Sequence, residues 1–330
     1  MMENLTLQFL EILARRNLLD EAKQRRYQWL KQGFEGELEL VSLLEEFRLG
    51  QYQLIHDLAL DYRGKFQIDF LLIFDSVIYL LEVKNYFGRF DYLPGGECQL
   101  RGQALDEDII SGVSRRAYKL GQLLQEGKLD RFKVVPVLIF INPYCQLGEM
   151  PDAQGALEIL ARCQIPTWIQ ELQQAGHRRV SGNDYEKIVA LIDHFQDSAS
   201  YLPKSIRDLP FDSIQVGLFC PHCRLLLENI GKIYTHCPRC GQRHHKGVLL
   251  DMACTDLALL AYDDPKILTR SRVKALVGPG VSDNYIYQHL TSHYQAHGCN
   301  RYRYYSFPPG TSPVHSFSVE DLDLIRKYWR

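Results

Sequence analysis

The sequence predicts an α/β protein: a mixed β-sheet flanked by helices, then a zinc ribbon and a small helical, helix-turn-helix-like module. Three observations predict this. The apolar runs KFQIDFLLIF, VIYLLEVKN and VVPVLIFIN are interrupted by one helical stretch, two CxxC motifs lie 13 residues apart, and a basic, tyrosine-rich segment with helical periodicity follows them.

At 330 residues the chain exceeds what a single core usually organises, so two or three domains are expected. A hydrophobic content of 46% with 24% charged residues is that of an ordinary globular protein. There is no run of 18 apolar residues, which argues against a membrane span. The N-terminal stretch MMENLTLQFLEILARR carries acids and Arg15-Arg16 within its apolar pattern and has no small-residue cleavage site. A cytoplasmic location is therefore expected. The net charge of -2 does not favour nucleic acid, but residues 265–330 carry nine Lys or Arg against four Asp or Glu.

The elements follow in order. Leu5, Phe9, Leu10, Leu13 and Leu18 recur at helical intervals, so residues 1–30 read as an N-terminal helical arm. GFEGELELVSLLEEF then repeats apolar residues every three or four positions, which predicts a helix with Glu37 in its first turn, between Gly33, Gly36 and the apolar face. KFQIDFLLIF and VIYLLEVKN read as two strands joined by a tight connection at Asp75-Ser76. GRFDYL and ECQLRG flank the turn-forming Pro94-Gly95-Gly96 as a hairpin. DIISGVSRRAYKLGQLLQEG reads as a helix stopped at Gly127, long enough to return VVPVLIFIN parallel to the earlier strand. The stretch 151–200 is mostly helical in pattern. We therefore expect an α/β domain over 31–200, a linker over 201–215, a zinc ribbon over 216–250 and the helical module over 251–330.

Chemistry concentrates at EVKNYFGRF. Residues two apart on a strand share a face, so Glu82 and Lys84 emerge together while Val83 points away. A hairpin brings Asp69 beside Glu82 within the reach of cross-strand pairs. Two carboxylates that close repel unless a positive charge sits between them, and a hard cation such as Mg²⁺ or Mn²⁺ takes such oxygen ligands. In that arrangement Lys84 faces the same pocket, Glu37 supplies a third carboxylate, and Gln67, two residues before Asp69, shares its face. An ion pair on a solvated strand end is the plainer reading of so short a pattern. Against it stands the position of Glu82 and Lys84 after eight largely apolar residues, where an idle charge pair costs burial energy.

The order GFEGE, then QID, then EVKN resembles the nuclease-related domain family, NERD, a branch of the PD-(D/E)xK nuclease-like superfamily. The resemblance covers roughly residues 30 to 145. It implies a restriction-endonuclease-like sheet and a metal-dependent phosphodiesterase site, which falls on Asp69, Glu82 and Lys84 with Glu37 as the helix-borne acid. The chain departs from that pattern after the hairpin, where DEDIISGVSRR stands in place of an Asn-Pro and a downstream Gln. Arg115 and Arg116 in that segment are suited to a phosphate backbone.

Nine cysteines without an export signal point to metal or free thiols before disulfides. Cys220-x2-Cys223 and Cys237-x2-Cys240 offer four thiolates to one tetrahedral Zn²⁺, a closed structural site. His222, His236, His244 and His245 are alternative ligands by spacing and surface residues otherwise, and Cys98, Cys145, Cys163, Cys254 and Cys299 are expected as buried free thiols. TDLALLAYDD, PKILTRSRVKALVG and VSDNYIYQHLTSHYQ form a helical series broken at Gly278-Pro279-Gly280, with Ser282 as N-cap. The last helix presents Asn284, Tyr287, Gln288 and His293, and CNRYRYYSF interleaves arginine with tyrosine, a pattern for phosphate contact and base stacking.

Together these readings describe a metal-dependent nuclease, acting on DNA and no membrane partner, positioned by its C-terminal module. The alternative is a nucleic-acid-binding protein in which the nuclease-like domain is a scaffold without turnover. Oligomeric state and strandedness of the substrate are open at this level.

Overall fold

The computed structural model describes residues 5–50, 52–150, 157–196, 206 and 208–309. The stretches 201–205 and 310–330, within the expected linker and C-terminal module, lie outside the described residues. The chain forms two compact units, one of residues 28–200 and one of residues 3–27 with 201–330.

Helices α1 (Leu5–Arg15) and α2 (Glu21–Glu46) come first, and most of α2 belongs to the 28–200 unit. That unit continues with strands β1 (Gln53–Asp61), β2 (Lys65–Ile73) and β3 (Val77–Lys84), then β4 (Gly88–Leu93), β5 (Glu97–Leu100) and β6 (Gln103–Ala104). Helix α3 (Ile109–Glu126), β7 (Lys133–Phe140), β8 (Cys145–Leu147), β9 (Glu158–Ala161), α4 (Ile165–Gln174) and α5 (Gly182–His194) complete it. The main sheet has the order β1-β2-β3-β7-β9; β1, β2 and β3 form an antiparallel meander, and β7 and β9 run parallel to β3. The predicted hairpin β4–β5 belongs to a second sheet, β6-β5-β4-β8.

Both faces of the main sheet are covered, which is why β2, β3 and β7 read as continuous apolar runs. One face packs Leu71, Ile73, Ile78, Leu80, Leu138 and Phe140 under Val113, Leu120 and Leu124 of α3 and Ile188 and Ile192 of α5. The other packs Phe70, Leu72, Leu81, Val83, Val137 and Ile139 under Leu40, Leu43 and Leu44 of α2 and Ile165, Trp168 and Leu172 of α4. The result is a mixed α/β fold with the sheet between helical layers. Helix α3 carries the chain from β3 to its parallel neighbour β7, and Asp108 caps it through Ser111 N at 3.0 Å.

Three expectations need correction. The helix predicted to begin near Gly36 is the second half of α2, which runs unbroken from Glu21 through both glycines. Gly36 is there for contact: a Cβ would lie 2.9 Å from Asn85 Cβ and from Ile141 Cγ2, so only glycine lets α2 press against the ends of β3 and β7. Strand β1, QLIHDLALD, has no counterpart in the sequence reading, and within 151–200 strand β9 precedes the helices. Of the lone cysteines, Cys98 and Cys254 are buried as expected, but Cys145 is half-buried and Cys163 and Cys299 are exposed.

In the second unit, the ribbon strands β10 (Leu218–Phe219), β11 (Leu226–Leu227), β12 (Tyr234–His236) and β13 (Arg243–His245) pair as two short hairpins. Helices α6 (Lys246–Leu260), α7 (Arg270–Val277) and α8 (Asp283–His293) follow, and β14 (Gln295–His297) pairs with β15 (Tyr304–Ser306) as a terminal hairpin. Ser282 caps α8 through Tyr285 N at 3.3 Å, as the sequence predicts. Helix α1 belongs to this unit. Its Arg16 is 1% exposed and reaches Asp256 of α6 with Nη2 at 2.8 Å and Nε at 3.2 Å, Arg15 meets the same carboxylate, and Arg16 Nη1 donates to Gln215 O at 3.2 Å. No helix among the described residues is long and apolar enough to cross a membrane.

Removing one partner of a buried ion pair leaves the others desolvated and uncompensated. Asp256→Ala, which strands two guanidinium groups, should destabilise the unit by about 3 kcal/mol or more, read as a lower urea midpoint; a shift within error would show that the pair is not buried in solution.

Candidate active site and metal centre

The site is created by a fault in the β-ladder. Strands β2 and β3 pair from Ile73↔Ile78 to Phe70↔Leu81, so the next rung would join Asp69 to Glu82. That rung is missing. Instead Asp69 Oδ2 accepts the Val83 N–H at 2.8 Å, so the donor released by the parting strands is held by a side chain. The pleat also changes phase at this level. Ile68 lies in the same core as Leu71 and Ile73, whereas Phe70 and Leu72 lie in the opposite one. On the neighbouring β1, Asp57, level with Asp69, has a φ of 53°. Glu82, by contrast, stays in a regular rung with Leu138 of β7 and is 6% exposed.

Glu82 is bracketed by cations. Lys84 Nζ lies 2.7 Å from its Oε1, and Arg116 Nη2, from α3, lies 2.7 Å from its Oε2. Arg116 Nε is buried without a hydrogen-bond partner. Burial pushes the Asp69 carboxyl well above the usual range, repulsion from Glu82 and Glu37 adds to this, and Lys84 and the Val83 N–H oppose it. For Lys84 burial acts downward, but the charges of Glu82 and Asp69 outweigh it and hold the ammonium more firmly protonated than usual. The cluster thus sets Asp69 and Glu82 near Lys84, with Arg116 on Glu82 and Glu37 acting on Asp69 from α2.

The remaining predicted residues are placed as follows. Glu37, in the middle of α2, acts electrostatically on Asp69, and its Oε2 lies 2.6 Å from His56 Nε2 on β1. Gln67 directs its amide to Asp57 Oδ1 at 2.7 Å. His56 had no signal in the sequence because β1 itself was not legible. The three carboxylates do not converge on one ligand sphere: among the described residues only the four ribbon cysteines do so. Asp69 and Glu82 nevertheless provide the hard oxygen donors that Mg²⁺ or Mn²⁺ accepts, one or two carboxylates with water and phosphate oxygens making up the rest.

Residues 32–141 match the family model of the nuclease-related domain. This stretch is similar to a nuclease-related domain. It covers about a third of the chain and carries Glu37, Asp69, Glu82, Lys84 and Arg116, whereas the cysteine-bearing unit lies outside it. No curated protein and no solved structure matches the chain. For the nuclease-related domain, the match supports nuclease-like chemistry on nucleic acid and, with it, use of a divalent metal.

The second centre is a Cys₄ cluster compatible with zinc. The four Sγ atoms of Cys220, Cys223, Cys237 and Cys240 lie within 4.8 Å of one another, with Cys220–Cys240 at 3.6 Å and Cys223–Cys237 at 3.4 Å. Tetrahedral Zn²⁺ at about 2.3 Å from each sulfur requires S···S separations of about 3.8 Å. The two knuckles repeat one backbone pattern. Cys220 N donates to Leu225 O at 2.8 Å and Arg224 N to Cys220 O at 2.9 Å; Cys237 N donates to Gln242 O and Gly241 N to Cys237 O, both at 2.9 Å. The fifth residue of each is left-handed, Arg224 at φ 62° and Gly241 at φ 69°. Arginine therefore accepts the conformation that favours glycine in the second knuckle. Of the four histidines, His244 sets Nε2 3.2 Å from Cys220 Sγ from outside the cluster, His245 caps α6 by accepting from Gly247 N at 3.1 Å, and His222 and His236 are exposed.

Two outcomes follow. A carboxyl whose folded-state pKa is raised binds its proton more tightly when folded, so its stabilising contribution is present at acid pH and lost as pH rises through the raised value. Asp69→Asn, which keeps the acceptor for Val83 N–H, should therefore exceed wild type in stability at neutral pH, without added divalent cation, by on the order of 1 kcal/mol, with the gap closing toward acid in parallel urea titrations. The purified chain should carry one equivalent of zinc by elemental analysis, and Cys237→Ser should lose it and the ordered ribbon; zinc retained by that variant would rule out the four-cysteine shell.

Proposed function

We propose that this chain is a metal-dependent nuclease that hydrolyses phosphodiester bonds in DNA, with the C-terminal unit positioning it on the substrate. The observation that carries the reading is that Asp69 and Glu82 stand at the same level of neighbouring strands where the β2–β3 ladder ends, with Lys84 bonded to Glu82. Asp69 and Glu82 would hold Mg²⁺ or Mn²⁺, which supplies Lewis acidity and a water of lowered pKa. Lys84, kept protonated by its neighbours, orients the attacking water or meets charge developing on the phosphoryl oxygens. Arg116 offers a second guanidinium edge, including its unpartnered Nε, to the same oxygens. Glu37 adds negative charge near Asp69 through a carboxylate tied to His56.

The C-terminal unit suits docking. Asn284, Gln288 and His293 are exposed on α8 and Tyr287 is 39% exposed. Beyond α8 the terminal hairpin carries Arg301 over the ring of Tyr302, itself 70% exposed. Helices followed by a hairpin bearing an arginine and a tyrosine give phosphate and base contacts from one module. A cytoplasmic setting, where thiols stay reduced and available to zinc, fits this reading.

A second reading, nucleic-acid binding without turnover, is favoured by one observation: Lys84 and Arg116 already neutralise Glu82, and the carboxylates form no ready cage. Incubation of the chain with plasmid and single-stranded DNA in Mg²⁺ or Mn²⁺ separates the two. Cleavage by wild type, reduced about 100-fold or more in Glu82→Ala and Lys84→Ala, is the expected result. Equal cleavage by all three would identify a contaminant, and salt-dependent binding with no cleavage would establish the scaffold reading.

A further inference from the structure

Two loops leave the sheet beside Lys84, and each ends in an exposed aromatic side chain. Lys84 and Phe140 are the last paired residues of β3 and β7. Phe87 follows Lys84 by three residues and Tyr144 follows Phe140 by four, so the Cα of Phe87 lies within about 11 Å of that of Lys84. Phe87 is 56% exposed and Tyr144 70%, and their ring centroids are 6.1 Å apart at an interplanar angle of 54°.

These rings are exposed, yet their backbone is fixed. Asn85 Nδ2 donates to Gln32 O at 2.8 Å, Gln32 Nε2 donates to Asn85 O at 2.6 Å, and Asn142 Nδ2 donates to Asn85 Oδ1 at 2.9 Å. Asn142 Oδ1 in turn accepts from Tyr144 N at 3.0 Å, and Gly88 N donates to Tyr144 O at 3.2 Å. One amide network therefore ties α2 to both loops. Arg101 lies against Gly88, whose φ of 94° and missing Cβ make room for it. Large apolar surface held rigid in water has an energetic cost that ordinary loops avoid with small polar residues. A ring pair on a braced frame, with Arg101 against Gly88 and Lys84 at the base of one loop, is what unpaired bases need: a π-face for the base and cations for its phosphates.

We infer that Phe87 and Tyr144 form a base-stacking platform at the mouth of the phosphodiesterase site, so that the site takes DNA whose bases are unpaired beside the scissile phosphate, in preference to intact duplex. This inference rests on the nuclease reading for the place of the site, but stacking requires no metal and can be measured without it.

The test uses the full-length chain without divalent cation and a single-stranded oligodeoxynucleotide carrying 5-iododeoxyuridine, which photo-crosslinks to stacked aromatic rings. Peptide mapping should place adducts on Phe87 or Tyr144. In fluorescence anisotropy, wild type should prefer the single strand over the blunt duplex of the same sequence, and the Phe87→Ala/Tyr144→Ala variant should lose that preference by about tenfold or more. Phe87→Tyr/Tyr144→Phe, which keeps both rings, should retain it, and matched thermal melts would exclude misfolding. Adducts confined to residues outside these two loops, or an unchanged preference in the double alanine variant, would overturn the inference. Crosslinking at the loops without cleavage in Mg²⁺ or Mn²⁺ would sink the nuclease reading and leave the platform standing; cleavage with unchanged preference would do the reverse.

Discussion

The candidate site depends on a single hydrogen bond, from Val83 N to the carboxylate of Asp69. A strand that leaves its neighbour inside a covered sheet exposes ladder donors and acceptors to a place water reaches poorly, where an unmade bond costs roughly 1–3 kcal/mol. Here the departing strand leaves behind its own carboxylate, which takes the orphan N–H. The same bond orients Asp69 toward β3, where Glu82 is met by Lys84 from its own strand and by Arg116 from α3. Fold and chemistry are thus joined at one rung: where the β2–β3 ladder ends, Asp69 takes the place of a backbone acceptor for Val83 N–H.

The rest of the unit can be understood as support for that rung. Helix α2 must come close enough to place Glu37 near Asp69, and Gly36 removes the Cβ that would collide with Asn85 and Ile141. Helix α3 must present Arg116 at its sheet-facing side, and its apolar stripe of Val113, Leu120 and Leu124 fixes that rotation. The main sheet is clamped between these layers, and β1 and β2 stay paired on both sides of the irregularity at Asp57 and Asp69, which lies in the middle of each strand.

Much of this was legible in the sequence, and the exceptions share a physical cause. Strands β2, β3 and β7 and helix α3 were readable because elements buried on both faces, or along one stripe, carry strong apolar periodicity. Strand β1 was not, because the pleat changes phase at Asp57 and the polar pair His56-Asp57 interrupts the run, so no single period of two extends through it. Gln67, which alternation placed on the face of Asp69, gives its amide to Asp57, a partner that was not legible without β1. For α2 the glycines suggested a helix boundary. Glycine in a helix is a weak stop signal when its neighbours are good helix formers, and at Gly36 close approach to the sheet explains it.

The two CxxC knuckles illustrate the opposite case, where local chemistry overrides residue preference. Both use the same pair of backbone hydrogen bonds to turn their N–H groups inward, and both need a left-handed fifth residue. Gly241 takes that conformation freely; Arg224 takes it at a cost, yet it repeats the geometry within a few degrees. Two independent turns would have no reason to agree so closely. A requirement shared by both, four sulfurs at the separations of one tetrahedral ion, accounts for the agreement and is why a short motif with no apolar periodicity was as readable as the best of the strands.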